Sequence, residues 1–188
     1  MTAPAPALAP LAVDRSLTVA AHSRAARTGM VLALAGIGML FTAFTSAYVV
    51  RHGLDPNWLT LPMPRALVPN TLVLLASSLC VERARRARDN RWLAATVLLG
   101  ALFVAGQVAV WRGLVAAGVY FPSSAHSSFF YLLTAAHAAH LAGGLAALSW
   151  TATVTAARRP LWLANAALYW HFMGALWLYL VILLFGWR

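Results

Sequence analysis

The sequence predicts an all-α protein, a polytopic membrane helical bundle of about five transmembrane helices, with the N-terminus inside and the C-terminus outside. Three observations lead there. Of 188 residues, 62% are hydrophobic and only 10% charged, against roughly a quarter charged in a soluble domain. The mean hydropathy is +0.74. Apolar runs of about 20 residues, enough to cross a bilayer, recur along the whole chain. In lipid, backbone groups must be bonded within a helix or around a closed barrel. Barrel strands alternate over about ten residues, whereas these runs are continuous and longer, so helices are the reading.

The elements follow in order. Met1 to Pro10 is Ala/Pro-rich without a charged side chain. It has neither the basic n-region nor the apolar h-region of a signal peptide. Residues 1–27 are expected to be a mostly disordered tail with a short surface helix at its end, and residues 28–188 the five-helix domain. The first span is predicted from Thr28 to Val50 and the second from Ala66 to Val81, with Pro69 in its first turn. A charged loop from Glu82 to Arg91 is expected next, then a third span from Trp92 to Leu114. The Gly118–Ser124 link precedes a fourth span from Ser127 to Val154, and the fifth runs from Leu161 to Trp187. The lone cysteine, Cys80, excludes an internal disulfide.

The net charge of +10 comes from fourteen arginines, with no lysine. Such a balance can mark a nucleic-acid binder. Here the arginines lie between apolar runs, where they set topology and meet anionic head groups, so no nucleic-acid partner is expected. Ten fall on the side of the N-terminal tail, the second-to-third loop and the fourth-to-fifth loop. Four (Arg51, Arg65, Arg112 and Arg188) fall on the other. The excess places the N-terminus in the cytoplasm.

Small residues repeat every four positions at Ala135, Ala139, Gly143 and Ala147, and at Ala101, Ala105, Ala109 and Gly113. Such stripes let two helices approach closely, so they are expected to pack the bundle. Polar groups inside the spans are few: Tyr48 near an end, Gln107, Tyr131, Thr134, His137, His140, Tyr169 and His171. No carboxylate lies within any predicted span, which argues against an independent pump or ion-coupled transporter. His137 and His140 are three apart and roughly share a face, and His171 lies on the next helix. Three histidines can ligate a metal or haem. The other reading is that each bonds to a Thr, Tyr or carbonyl of a neighbouring helix. No Cys-X-X-Cys-His attachment motif is present. Trp170 and Trp177, seven apart, together with His171, are expected to form a helix–helix packing seam.

Several motifs in sequence carry a resemblance. Ser128-Phe-Phe-Tyr131-Leu-Leu-Thr134-Ala-Ala-His137-Ala-Ala-His140-Leu-Ala-Gly143-Gly144 resembles the signature helix of haem-copper (cytochrome c) oxidase subunit III in its short five-helix bacterial form. Tyr169-Trp170-His171-Phe-Met-Gly-Ala-Leu-Trp177 resembles that family's closing helix. Pro69-Asn70-Thr71 with Ser77-Ser78 and Glu82-Arg83 resembles its second helix here, Gly106-Gln107 with Trp111-Arg112 the third, and Tyr48-Val-Val-Arg51 the end of the first. The resemblance covers Thr28 to Arg188.

The resemblance implies a non-catalytic subunit of an aerobic respiratory oxidase in the bacterial plasma membrane. No catalytic, cofactor or metal residue is expected in this chain; haem and copper are expected in partner subunits. Subunit III packs on catalytic subunit I of a complex that also holds subunit II, and its helices enclose a V-shaped cleft occupied by phospholipid. Tyr48, Arg51, Asn70, Gln107, Trp111, Tyr131, Thr134, His137, His140, Gly143, Gly144, Trp170, His171 and Trp177 are the candidates for structural, intersubunit or lipid-cleft roles. Two departures stand out. The family's Ser-Glu pair in the first helix is Gly36-Ile37 here, and its acidic residue in the last is Gly174. That keeps open a subunit III-like accessory protein of a nitric oxide reductase or quinol oxidase. A small haem-binding electron carrier using the three histidines is the reading from a different class.

Overall fold

The computed structural model describes residues 15–186 apart from 57, 60, 62, 156 and 157, with side chains from residue 21 onward. Among these residues there are five α-helices and no strand: α1 (Arg15–Leu54), α2 (Leu67–Ala87), α3 (Asn90–Ala116), α4 (Ala125–Thr153) and α5 (Arg159–Phe185). All five are long and apolar enough to cross a membrane, α1 through its Ala21–Leu54 portion. Residues 1–14 of the expected tail, and Trp187 and Arg188, lie outside the described residues.

Two expected boundaries move. Residues 15–27 are helical and run without a break into the first span. Nothing in Arg15–Arg27 stops a helix: it holds no Pro or Gly and is rich in Ala, so the helix propagates outward from the span. The charged loop expected over Glu82–Arg91 shrinks to two residues. α2 continues to Ala87 because Glu82 bonds forward to Arg85 (2.7 and 2.9 Å) and to Arg86, three and four residues on. Arg88 turns left-handed at φ 54°, and Asp89 caps α3 by accepting the Arg91 N–H at 2.9 Å. So short a link makes α2 and α3 an antiparallel hairpin, the most extensive pairing in the chain.

The other starts are local. Ser124 and Ser127 cap α4 reciprocally, each hydroxyl accepting the other residue's backbone N–H. Pro160 sits in the first turn of α5, where its missing N–H costs nothing. α2 packs on α3, α3 on α4, α4 on α5 and α5 on α2, which closes a four-helix ring. α1 lies outside that ring, against α5 and, less extensively, α4; it does not pack on α2 or α3.

The ring is centred on two tryptophans of α5. Trp170 donates its indole N–H to Ser77 on α2 at 2.9 Å. Its ring tip presses Gly100 of α3 so closely that a Cβ there would lie 2.7 Å away. Trp177 donates to Thr71 at 2.9 Å and meets Phe103 edge to face at 5.0 Å. The expected seam through Trp170 and Trp177 is therefore buried. His171, one position and about 100° round the helix from Trp170, is not in it: its side chain is 43% exposed.

The small-residue stripes do not pack this chain. Ala135, Ala139, Gly143 and Ala147 are all exposed, and so are Ala101, Ala105, Ala109 and Gly113. The glycines at close approaches are Gly100, Gly106 and Gly144, pressed by Trp170, Asn70 and Tyr169 respectively. Large aromatic side chains need room where they point, and that falls beside each stripe.

Candidate functional site

The candidates fall into three places. At the end where α1 and α5 finish and α4 begins, Tyr48 is buried against Trp58 (5.5 Å) and Phe129 (5.4 Å). Arg51 is exposed and pairs with Asp55 at 3.9 Å. The residue that organises this end is one that sequence reasoning missed, His126. Its Nδ1 accepts the Leu61 N–H at 3.2 Å, which leaves Nε2–H to donate to the Leu184 carbonyl at 2.9 Å. One neutral imidazole thus ties the α1–α2 connection and the end of α5 to the start of α4. Its position in the first turn of α4, beside polar serines, disguised it as a loop residue.

A second group of polar residues lies along the facing sides of α2, α3 and α4. Asn70 donates to the Phe103 carbonyl at 3.1 Å and lies against Gly106, where a Cβ would collide with its carboxamide. Trp111 donates to Thr134 at 3.1 Å, and the Thr134 hydroxyl donates to the Phe130 carbonyl at 2.6 Å. Tyr131 donates to the Val119 carbonyl at 2.9 Å. Gln107 and His137 are buried, and none of their four side-chain nitrogen and oxygen atoms has a hydrogen-bond partner among the described residues.

The three span histidines have separate surroundings. His137 is tilted over Trp177 at 5.2 Å and meets Phe103 edge-on. His140 bonds its own helix, through Nδ1 and the Ala136 carbonyl at 2.7 Å, and meets Phe41 of α1. His171 lies 3.9 Å from Glu82. Among the described residues none of the three bonds a Thr, Tyr or carbonyl of a neighbouring helix, so that expectation is corrected. The cross-helix bond at this level runs the other way, from the Tyr169 hydroxyl to the His140 carbonyl at 2.8 Å. Among the described residues no three His, Cys, Asp or Glu side chains come together as metal ligands.

The third place is a groove of about 480 Å³ between the starts of α1 and α5 and the end of α2. It exists because α1 leans on α5 and α4 and stays off α2. Arg24 and Arg27 line one wall, Glu82 and Arg85 another, and Asn165 and His171 the floor, with Leu161 and Leu168 beside them. Glu82 is engaged by Arg85 and Arg86. The groove therefore keeps a net positive rim, with Leu161, Ala164, Ala167 and Leu168 supplying apolar surface beside Asn165 and His171.

No family model matches the chain. Curated relatives do. A probable cytochrome c oxidase subunit 3 of Mycobacterium tuberculosis is 35% identical over 162 aligned residues, covering 78% of each chain. One of Nocardia farcinica is 34% identical over 167, covering 80% of this chain and 82% of that one. The chain belongs to the cytochrome c oxidase subunit 3 family. A cytochrome c oxidase subunit 3 of Bacillus sp. strain PS3 extends the likeness to 94% of this chain at 30% identity. As a subunit 3 homologue with five membrane-spanning helices, the chain is a multi-pass membrane protein of the respiratory oxidase class. At the two positions where the resemblance led to an expectation of acidic residues, the structure gives different pictures. Gly36 has open space around it and Ile37 packs on the core, whereas Gly174 is buried with Ser78 Oγ 3.3 Å from a would-be Cβ.

Proposed function

We propose that the chain is the non-catalytic subunit III of a bacterial haem-copper oxidase, docked in the plasma membrane on catalytic subunit I of a complex that includes subunit II. Its redox centres belong to those partners. The observation that carries the reading is family membership combined with a bundle in which His137, His140 and His171 lie in separate surroundings. Its work is scaffolding: the ring of α2–α5 is the rigid part, and its outer surface meets the neighbour. The outward-facing stripes on α3 and α4 support a close helix–helix contact there. The arginine-lined groove supports phospholipid binding, with Arg24 and Arg27 on the phosphate and acyl chains along α5. The arginine excess at that end supports a cytoplasmic N-terminus.

Purification of the tagged chain in mild detergent tests this. A large subunit carrying haem and copper should co-purify, and replacing Arg24 and Arg27 by Gln should strip an anionic phospholipid seen by native mass spectrometry. A lone polypeptide that keeps its own Soret band would overturn the assignment in favour of a haem-binding carrier. The missing carboxylates at Ile37 and Gly174 favour a second reading, a parent complex that reduces nitric oxide or draws electrons from quinol. Oxygen and nitric oxide consumption by the purified complex, with cytochrome c or quinol as donor, separates these.

A further inference from the structure

We infer that Gln107 and His137 together hold at least one ordered water molecule in the centre of the helix ring. Both side chains are fully enclosed by this chain, 1% and 0% exposed. Gln107 brings two donors and an acceptor, and a neutral imidazole one donor and one acceptor. All four polar atoms are without a partner among the described residues. Natural proteins rarely leave such groups unsatisfied, and an internal water that bonds two to four of them is the usual remedy.

The geometry brings the two side chains together. α3 and α4 run antiparallel and touch at two measured places, Phe103 with His137 (6.3 Å between ring centres) and Trp111 with Thr134 (3.1 Å). Gln107 is midway between Phe103 and Trp111, one turn from each and on the same buried face. Helical side chains lean toward their own N-terminus. On α3 that direction carries Gln107 toward the level of Phe103, hence of His137. On α4 it carries His137 toward the level of Thr134, hence of Trp111. The two polar ends converge in the interval bracketed by those contacts.

A direct bond between them would satisfy only two of the four atoms. The two imidazole nitrogens flank one carbon and their hydrogen-bonding directions diverge, in a ring already held over Trp177 at 5.2 Å, so one partner cannot serve both. A water molecule makes two to four hydrogen bonds and so can satisfy more of them. The inference concerns this chain's own core and does not depend on which oxidase it serves.

A cryo-EM map of the purified native complex, at a resolution that shows ordered water, tests it directly. The expected result is a density peak within hydrogen-bond distance of both the Gln107 carboxamide and a His137 ring nitrogen. A direct bond with no intervening peak, or either side chain turned to another partner, would overturn it. A thermal-unfolding cycle of Gln107→Leu, His137→Phe and the double variant gives an independent reading. Each single change strands the water and the remaining polar group, so the double variant should lose less than the two singles summed. Strict additivity would count against a shared site.

Discussion

α1 and α5 are comparably apolar and both long enough to span a bilayer, yet they do opposite things in the structure. α5 is packed on three sides, by α1, α2 and α4, and buries Trp170, Met173 and Trp177 completely. α1 buries one narrow line, Leu34, Phe41 and Tyr48. Those positions are seven apart, the seam of a helix lying along its neighbours at a shallow angle. The difference shows that in a membrane apolarity marks immersion and not burial: lipid accepts a leucine as readily as a protein core does. What separates a core helix from a peripheral one is where its Trp, Gly and hydrogen-bonding residues fall.

The comparison can be broken most sharply at Trp170. Trp170→Ala should cost about 5 kcal/mol, the upper range for a buried aromatic truncation, and abolish assembly, as measured by thermal unfolding and by recovery of the subunit in the complex. Survival of the complex would mean that α5 is not the centre of the ring. Phe41→Ala should cost about 3 kcal/mol but act locally. Hydrogen exchange should speed up along α1 and leave α2–α5 protected; uniform loss of protection would make α1 part of the core after all.

His126→Leu should remove about 2–3 kcal/mol by stranding the Leu61 N–H and the Leu184 carbonyl. Its effect should appear in exchange at the α1–α2 connection. The neighbouring glycines sharpen the contrast between inner and outer faces. Gly144→Ala puts a methyl 2.8 Å from the Tyr169 ring and should cost about 1–3 kcal/mol. Gly143, with nothing within 4 Å, should accept Ala with a change below about 0.5 kcal/mol. Gly143→Leu should spare the fold and weaken retention of the partner subunit on co-purification. Equal behaviour of the two glycines would erase the distinction. Smallest of all, Arg51→Ala should change stability by less than about 1 kcal/mol, because its pairing with Asp55 is long and solvent-exposed.

Much of the candidate site was legible in part only. That Gln107, Thr134 and His137 are special follows from their being polar in apolar runs, and that Asn70 and Trp111 are follows from the resemblance; the structure sets them along the facing sides of α2, α3 and α4. Which of them are partnered did not follow. Trp111 and Thr134 meet because α3 and α4 share a register that no periodicity states. His126 was invisible because a capping segment and a buried anchor look alike when read one residue at a time. The outward turn of the Ala/Gly stripes was equally unreadable, since a four-residue repeat gives a face but not its direction.

The sequence by itself determined the membrane class, the five helices, their near boundaries and the family, because each rests on local quantities: run length, Arg placement and motif order. Only the tertiary structure decided that α1 stands apart and leaves an arginine-rimmed groove against α2. It alone separated His137, His140 and His171 into three environments and turned the small-residue stripes outward. These depend on how helices rotate about their axes and which neighbours they choose. That choice is set by the fit of Trp170 and Trp177 into glycine and hydroxyl sites far away in sequence.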